Sequence, residues 1–210
     1  DFLNNKYNHY FANFDDRPAK LFTGMHHMKG TIFIGAPKIS RQSYSTTFLR
    51  WYDDFRPYIF DLIEFIEIGS LPKQPGHIPK ISFAIEKSIL NKVLKHTPLG
   101  HILNMGTYVV YCHRIASYFV KATDFIQYFW NEKEGQKRSD DYKIYKADTI
   151  DNQQTLKCIL NSGIFYYCWH VYNDGYHCGK ATIENYRLNM PLQIKLQIST
   201  KKEWLFLDHF

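Results

Sequence analysis

The chain has 210 residues, and its 26 lysines and arginines against 20 aspartates and glutamates give a formal net charge of +6. This length suits one large domain or a domain with part of a neighbour, and the mild basic excess is compatible with a polyanionic partner. No signal peptide or membrane-length apolar run is visible in the sequence, and the four cysteines have no paired spacing. A reduced, cytoplasmic location is therefore expected. Because the chain opens on Asp1 without a methionine, we interpret it as a piece of a longer polypeptide.

The first half of the sequence predicts short strands followed by two helices. Residue type and alternation predict strands at 7–14, 31–34 and 43–51, and apolar and charge spacing favours helices at 58–68 and 83–95. The run Asp15-Asp16-Arg17-Pro18 ends the first strand. Three prolines and a glycine within residues 71–79 mark a connector between the two helices.

The second half predicts a small sheet and a long helix. Residues 108–111 and 118–121 form two paired strands, 131–139 a polar loop, 142–145 a strand, 151–172 a helix and 181–187 a shorter helix. Apolar positions of the long helix recur at three- and four-residue steps, at Leu156, Ile159, Leu160, Gly163, Ile164, Tyr167 and Val171. Asp151 and Gln154 form a variant of the capping box that starts it, and Asn173-Asp174-Gly175 ends it.

Three groups of residues match a known pattern in order along the chain. The first is Arg17-Pro18-Ala19-Lys20-Leu21-Phe22 followed by Lys29-Gly30-Thr31-Ile32-Phe33-Ile34. The second comprises Phe119-Val120-Lys121, Asp124-Phe125, Tyr128-Phe129 and Gly135-Gln136-Lys137. The third is Leu160-Asn161-Ser162-Gly163-Ile164-Phe165-Tyr166-Tyr167 with Lys180 and Ile183-Glu184-Asn185. Together they resemble the region that follows the catalytic tetrapeptide in N6-adenine DNA methyltransferases of restriction-modification systems, including its target-recognition domain. Residues 43–105 match this pattern weakly.

The resemblance implies an α+β target-recognition domain over 41–210, with mixed sheet and helices, and a β-hairpin remnant of the methyltransferase sheet over 1–40. It also implies sequence-specific binding of double-stranded DNA, which positions a target adenine for a methyltransferase domain absent from this chain. The parent enzyme would be an adenine-specific methyltransferase that uses S-adenosylmethionine, with or without a restriction activity. This chain has neither Gly-x-Gly nor Pro-Pro. The cofactor loop and the catalytic tetrapeptide of that family are therefore missing, and we expect no catalytic residue, cofactor or metal in this chain.

Basic side chains on either side of the long helix are the candidate DNA contacts, because lysine and arginine neutralise phosphates and, with polar side chains, read base edges. The predicted DNA-binding residues are Lys121, Lys137, Arg138, Lys143, His177 and Lys180. One alternative is a protein-interaction module that docks a partner subunit through an aromatic surface, since 17% of the residues are aromatic. A third interpretation is a metal-dependent nuclease, for which Asp141-Tyr142-Lys143 supplies only a D-x-K half-motif. The cysteines and histidines lack the spacing of a zinc site.

Overall fold

The computed structural model describes residues 7–24, 28–37, 42–72, 77–101, 103, 105–116, 118–137, 139 and 141–187. The chain divides into two compact units, Asp1–Lys92 and Val93–Phe210. Both contain strands and helices, so the α+β class is confirmed at that level. The division differs from the predicted boundary after residue 40, because the strand that follows residue 40 pairs with the first strand of the chain. The interpretation of residues 1–40 as a methyltransferase remnant stays a prediction.

The first unit is built on a four-stranded sheet. Its strands are β1 (Tyr7–Phe14), β2 (Gly30–Pro37), β3 (Ser43–Leu49) and β4 (Ile66–Glu67), in the order β2-β1-β3-β4. β1 pairs antiparallel with β2 and parallel with β3, and β3 pairs antiparallel with β4. The first three strands agree with the sequence prediction. One face of this sheet packs into a core that includes Phe14, Trp51 and Ile59.

The predicted helix over 58–68 is only partly correct. A 3₁₀ helix spans Asp53–Leu62, with Pro57 inside it, and the chain then becomes extended at β4. Proline has no N–H for an intrahelical bond, and Ile66 and Glu67 pair with Ser45 and Tyr44, so the end of the segment joins the sheet. The predicted connector over 71–79 lies partly outside the described residues.

The helix predicted over 83–95 is present as α1, Ala84–Val93. Its start is fixed by Glu86, whose carboxylate accepts the backbone N–H groups of Ser82 and Phe83, both at 2.9 Å. A side-chain acceptor at this position satisfies N–H groups that have no partner within the helix, and its negative charge suits the helix N-terminus. Among the described residues, no helix is both long and apolar enough to cross a membrane.

The second unit contains a three-stranded antiparallel sheet. Its strands are β5 (Tyr108–His113), β6 (Ala122–Thr123) and β9 (Tyr142–Ala147), in the order β6-β5-β9. Between β6 and β9 along the chain, β7 (Phe129–Asn131) and β8 (Gly135–Lys137) form a separate hairpin. The predicted strand over 118–121 is wrong, because the pairing with β5 is made by the next two residues. The predicted loop over 131–139 holds β8, and Gly135, at φ 69°, takes the left-handed conformation that the tight turn requires.

The predicted helix over 151–172 is two helices, α2 (Ile150–Leu160) and α3 (Gly163–Tyr172). Thr149, rather than Asp151, caps α2, since its side chain accepts the N–H of Asn152. Ser162 caps α3 by accepting the N–H of Phe165. The second helix buries Phe165, Cys168, Trp169, Val171 and Tyr172. Of its predicted apolar positions Val171 is therefore buried, whereas Ile164 and Tyr167 are only partly buried. The helix ends after Tyr172, as Asn173-Asp174-Gly175 predicted, and α4 (Lys180–Asn185) matches the short second helix.

Candidate nucleic-acid interface

The extension of β5 carries the candidate site of the second unit. After His113 the chain bends at Arg114, and Ile115 then forms an isolated antiparallel bridge with His177. The N–H of Ala116 donates to the carbonyl of Tyr176 at 2.8 Å, and the N–H of Cys178 donates to the carbonyl of Arg114 at 2.7 Å. The loop after α3 is thereby held along the continuation of β5.

Arg114 connects this loop to the start of β9. Its backbone N–H donates to the carbonyl of Asp141 at 2.8 Å, while its Nε lies 2.9 Å from Asp141 Oδ1. Its own carbonyl accepts the N–H of Cys178. Arg114 therefore contacts two segments of the chain, one after β8 and one after α3. These are the segments in which the sequence contains clusters of basic residues. Sequence reasoning missed Arg114; the available signal was a charged residue a few positions after the predicted strand over 108–111.

Lys121 lies on the sheet face that carries His113 and Tyr142. The N–H of His113 donates to the carbonyl of Lys121, and His113 stands opposite Tyr142 in the register of β5 and β9. The Lys121 ammonium lies 5.9 Å from the centre of the Tyr142 ring, within cation–π range, and the His113 ring meets the same tyrosine edge-on at 5.0 Å. His113 Nδ1 is 2.7 Å from the carbonyl of Ile115. A carbonyl can only accept, so Nδ1 donates and Nε2 of the neutral ring is left as an acceptor.

Lys143 is not brought together with Lys121. It stands opposite Cys112, one position away from the His113–Tyr142 pair. Successive side chains of a strand point to opposite faces, so Lys143 belongs to the other face of the sheet. The structure thus divides two residues that the sequence assigned to one DNA-binding surface. Both are exposed.

His177 is held by Asp174 in the loop after α3. The Asp174 carboxylate accepts the backbone N–H groups of Tyr176 and His177, each at 2.8 Å, and Nδ1 of His177 lies 2.6 Å from its second oxygen. Partial burial acts to raise the pKa of Asp174, but these hydrogen bonds outweigh it, so the pKa lies below its ordinary value. On the inner side of the loop, Trp169 Nε1 donates to the carbonyl of His177 at 2.9 Å. The His177 ring is exposed on a loop fixed from both sides.

Lys180 begins α4, directly after the N-cap Gly179. Its ammonium lies 3.5 Å from Glu184 Oε1, one helical turn further on, and the side chain is 65% exposed. Such an exposed pair contributes about 0.3–0.5 kcal/mol, so it leaves the ammonium available to another anion. The side chain of Lys137 and the whole of Arg138 lie outside the described residues, and their predicted roles stay predictions.

The described residues give little support to a metal-dependent nuclease or to a cysteine nucleophile. Asp141, the acid of the D-x-K half-motif, is paired with Arg114, and no group of three histidine, cysteine or acidic side chains suited to a metal occurs in the described parts of the chain. The hydrogen bond with Cys178 and burial together raise the pKa of Cys112, and burial raises the pKa of Cys168 to about 12. Neither thiol forms a thiolate nucleophile near neutral pH.

Asn161 and Ser162, at the break between α2 and α3, connect these helices to the sheet. Asn161 Oδ1 accepts the N–H of Ala122 at 3.0 Å, and its Nδ2 donates to the carbonyl of Ala122 at 2.8 Å. The side chain thereby satisfies the outer edge of β6, next to Lys121. The Leu160-Asn161-Ser162-Gly163 run therefore has a structural role here that does not depend on any partner.

Comparisons of the chain with protein-family models, with curated proteins and with solved structures find no match.

Proposed function

We propose that the second unit binds double-stranded DNA in a sequence-specific manner and so positions a target adenine for an N6-methyltransferase domain that is not in this chain. The observation that carries the proposal is that Arg114 is hydrogen-bonded both to Asp141, at the start of β9, and to Cys178, in the loop of His177. Lys121 lies directly before β6, the strand that pairs with β5. Backbone hydrogen bonds therefore bring three segments that carry Arg114, Lys121 and His177 to one end of a small sheet. Basic side chains of this kind make the phosphate contacts of DNA-binding proteins.

The rigidity of these segments also favours DNA binding. The loop of His177 is fixed by Asp174, by Trp169 and by the extension of β5, so its side chains need little ordering when they meet a ligand. The exposed Lys180 ammonium is able to donate to phosphate oxygens or to acceptor atoms on base edges. Nδ1 of the exposed His177 ring donates to Asp174, so Nε2 of the neutral ring is an acceptor for amino groups on base edges. Tyr142 and His113 add rings beside Lys121.

Lys121→Ala and Lys143→Ala form the first test, because these two exposed lysines lie on opposite faces of one sheet. Fluorescence anisotropy with a labelled duplex library measures affinity as a function of salt. We expect Lys121→Ala to weaken binding to all sequences and to reduce the salt slope by about 1, the loss of one phosphate contact. Lys143→Ala is the matched control and leaves both quantities unchanged. Equal effects of the two substitutions would argue against this face.

Lys180→Ala tests base reading. If Lys180 contacts a base, the loss is about 1–3 kcal/mol at the cognate site and small for non-specific DNA. If Lys180 only pairs with Glu184 at the start of α4, binding is unchanged and the unfolding temperature falls slightly. Reversal of Lys137 and Arg138 to glutamate is expected to weaken binding to all sequences alike. Unchanged affinity in both the Lys180→Ala and the double glutamate variants would contradict a DNA-binding role.

A partner protein docked through an aromatic surface is the second candidate function, and one observation favours it. Large apolar side chains are exposed along residues 118–130: Tyr118, Phe119, Phe125, Ile126, Tyr128, Phe129 and Trp130. Exposed apolar surface of this density marks interaction sites. Over 118–137 three lysines are balanced by three acidic residues, so this stretch has no net attraction for a polyanion. A salt-insensitive affinity for a protein, lost in Tyr128→Ser/Trp130→Ser, would support this candidate over DNA binding.

A further inference from the structure

The outer side of β2 is an open strand edge. β2 is paired with β1 along all eight of its residues without a register shift, and it stands at the end of the strand order. Within the described parts of the chain, no strand pairs with its other side. The residues of an antiparallel strand direct their backbone N–H and C=O groups alternately toward and away from the neighbouring strand. The groups that point away from β1 can receive another strand.

The opposite edge of the same sheet is protected against such pairing. β4 has only two residues, and Glu67 within it forms an ion pair with Lys87. Short length and charged side chains are two of the devices by which sheet edges avoid pairing with other chains. β2 has neither device: Gly30–Pro37 contains no charged residue, and its proline stands at the last position.

Two bulky side chains of β2 remain accessible at this edge. Ile34 is 56% exposed and Phe33 is 38% exposed, although both lie in the middle of a paired strand. Phe33 stacks on Phe11 of β1 at 5.1 Å, so it is rigidly placed. An uncharged strand with exposed apolar side chains offers nothing that selects a polyanion or a charged peptide.

We propose that β2 pairs antiparallel with β2 of a second copy of this chain, so that two sheets join into one. A two-fold axis perpendicular to the sheet pairs residues that share a face, and centring it on Ile34 places Ile32 opposite Ala36 and Phe33 opposite Gly35. Ile32 and Phe33 then each face a small residue, and Ile34 packs against Ile34 of the other copy, which makes the strand complementary to itself. No like charges meet, because neither strand carries a charge. This interface uses the first unit only and does not depend on the proposed DNA-binding role.

Sedimentation velocity of the whole chain over a wide concentration range tests the proposal. We expect a monomer–dimer equilibrium in the wild-type chain. Ile34→Lys brings two ammonium groups together at the two-fold axis, and we expect it to weaken association by about tenfold or more. Ile85→Lys, on α1, is the matched control: Ile85 is 67% exposed, the charge change is the same, and no effect is expected.

Amide hydrogen exchange in β2 gives a second readout that needs no substitution. The outward-pointing N–H groups of Gly30–Pro37 become hydrogen-bonded in the dimer, so their exchange slows as the protein concentration rises, at alternate residues only. Three results would overturn the proposal: a monomer at every concentration, association that Ile34→Lys leaves unchanged, or exchange in β2 that is independent of concentration.

Discussion

Replacing Asn161 with alanine removes the side chain that closes the outer edge of β6. The wild-type amide makes two hydrogen bonds with the peptide groups of Ala122, at 3.0 and 2.8 Å, and Ala122 is only 4% exposed. Water therefore cannot easily replace the lost partner. Each hydrogen bond contributes about 1 kcal/mol, and a buried group left unpaired costs about 1–3 kcal/mol, so we expect Asn161→Ala to lose about 2–3 kcal/mol. For a chain of this size that is a fall in unfolding temperature of roughly 4–12 °C.

Urea unfolding followed by circular dichroism measures this loss, and two further substitutions control it. Ser162→Ala removes one helix cap at the same break and is expected to cost about 1 kcal/mol. Asn161→Asp keeps the acceptor for the Ala122 N–H but turns a carboxylate oxygen toward the Ala122 carbonyl. It is therefore expected to be unstable near pH 7 and to recover in acid, where the protonated carboxyl donates again. If Asn161→Ala unfolds within about 0.5 kcal/mol of wild type, the amide does not hold β6 and this reasoning is refuted.

Three more outcomes are expected. The Lys157 ammonium, 2.6 Å from the Asp124 carboxylate, and the Gln154 amide lower the pKa of Asp124. The ionised carboxylate therefore stabilises the fold fully above the ordinary carboxyl pKa of about 4, and this contribution is lost as pH falls through the lowered pKa. We expect Asp124→Asn to cost about 1 kcal/mol at pH 7 and nothing in strong acid. A cost that does not change with pH would count against the ion pair. The buried Tyr145 hydroxyl has no hydrogen-bond partner among the described residues, so Tyr145→Phe should leave stability unchanged or raise it by about 1 kcal/mol, and a loss in chemical unfolding would reveal a missed partner. With S-adenosylmethionine and mixed DNA, the chain alone should show no methyl transfer above background; clear transfer would exclude the interpretation that catalysis lies in a separate domain.

The sequence by itself determined the elements whose signal is local. Residue type in 7–14, alternation in 142–145 and apolar spacing near 83–95 predicted β1, β9 and α1, because these local signals do not depend on the partner. The end of α3 was also predicted, since the turn residues that stop a helix act within a few positions.

The tertiary structure alone decided where the long helix breaks and which basic residues meet. Apolar spacing continues through Asn161 and Ser162, but the outer edge of β6 needs a donor and an acceptor, and Asn161, the C-cap residue of α2, supplies both. Likewise, the register between β5 and β9 places Lys143 opposite Cys112 and separates it from the face of Lys121. Pairing between distant segments is set by backbone hydrogen bonds and packing that no local pattern records, which is why Arg114 was found only in the folded chain.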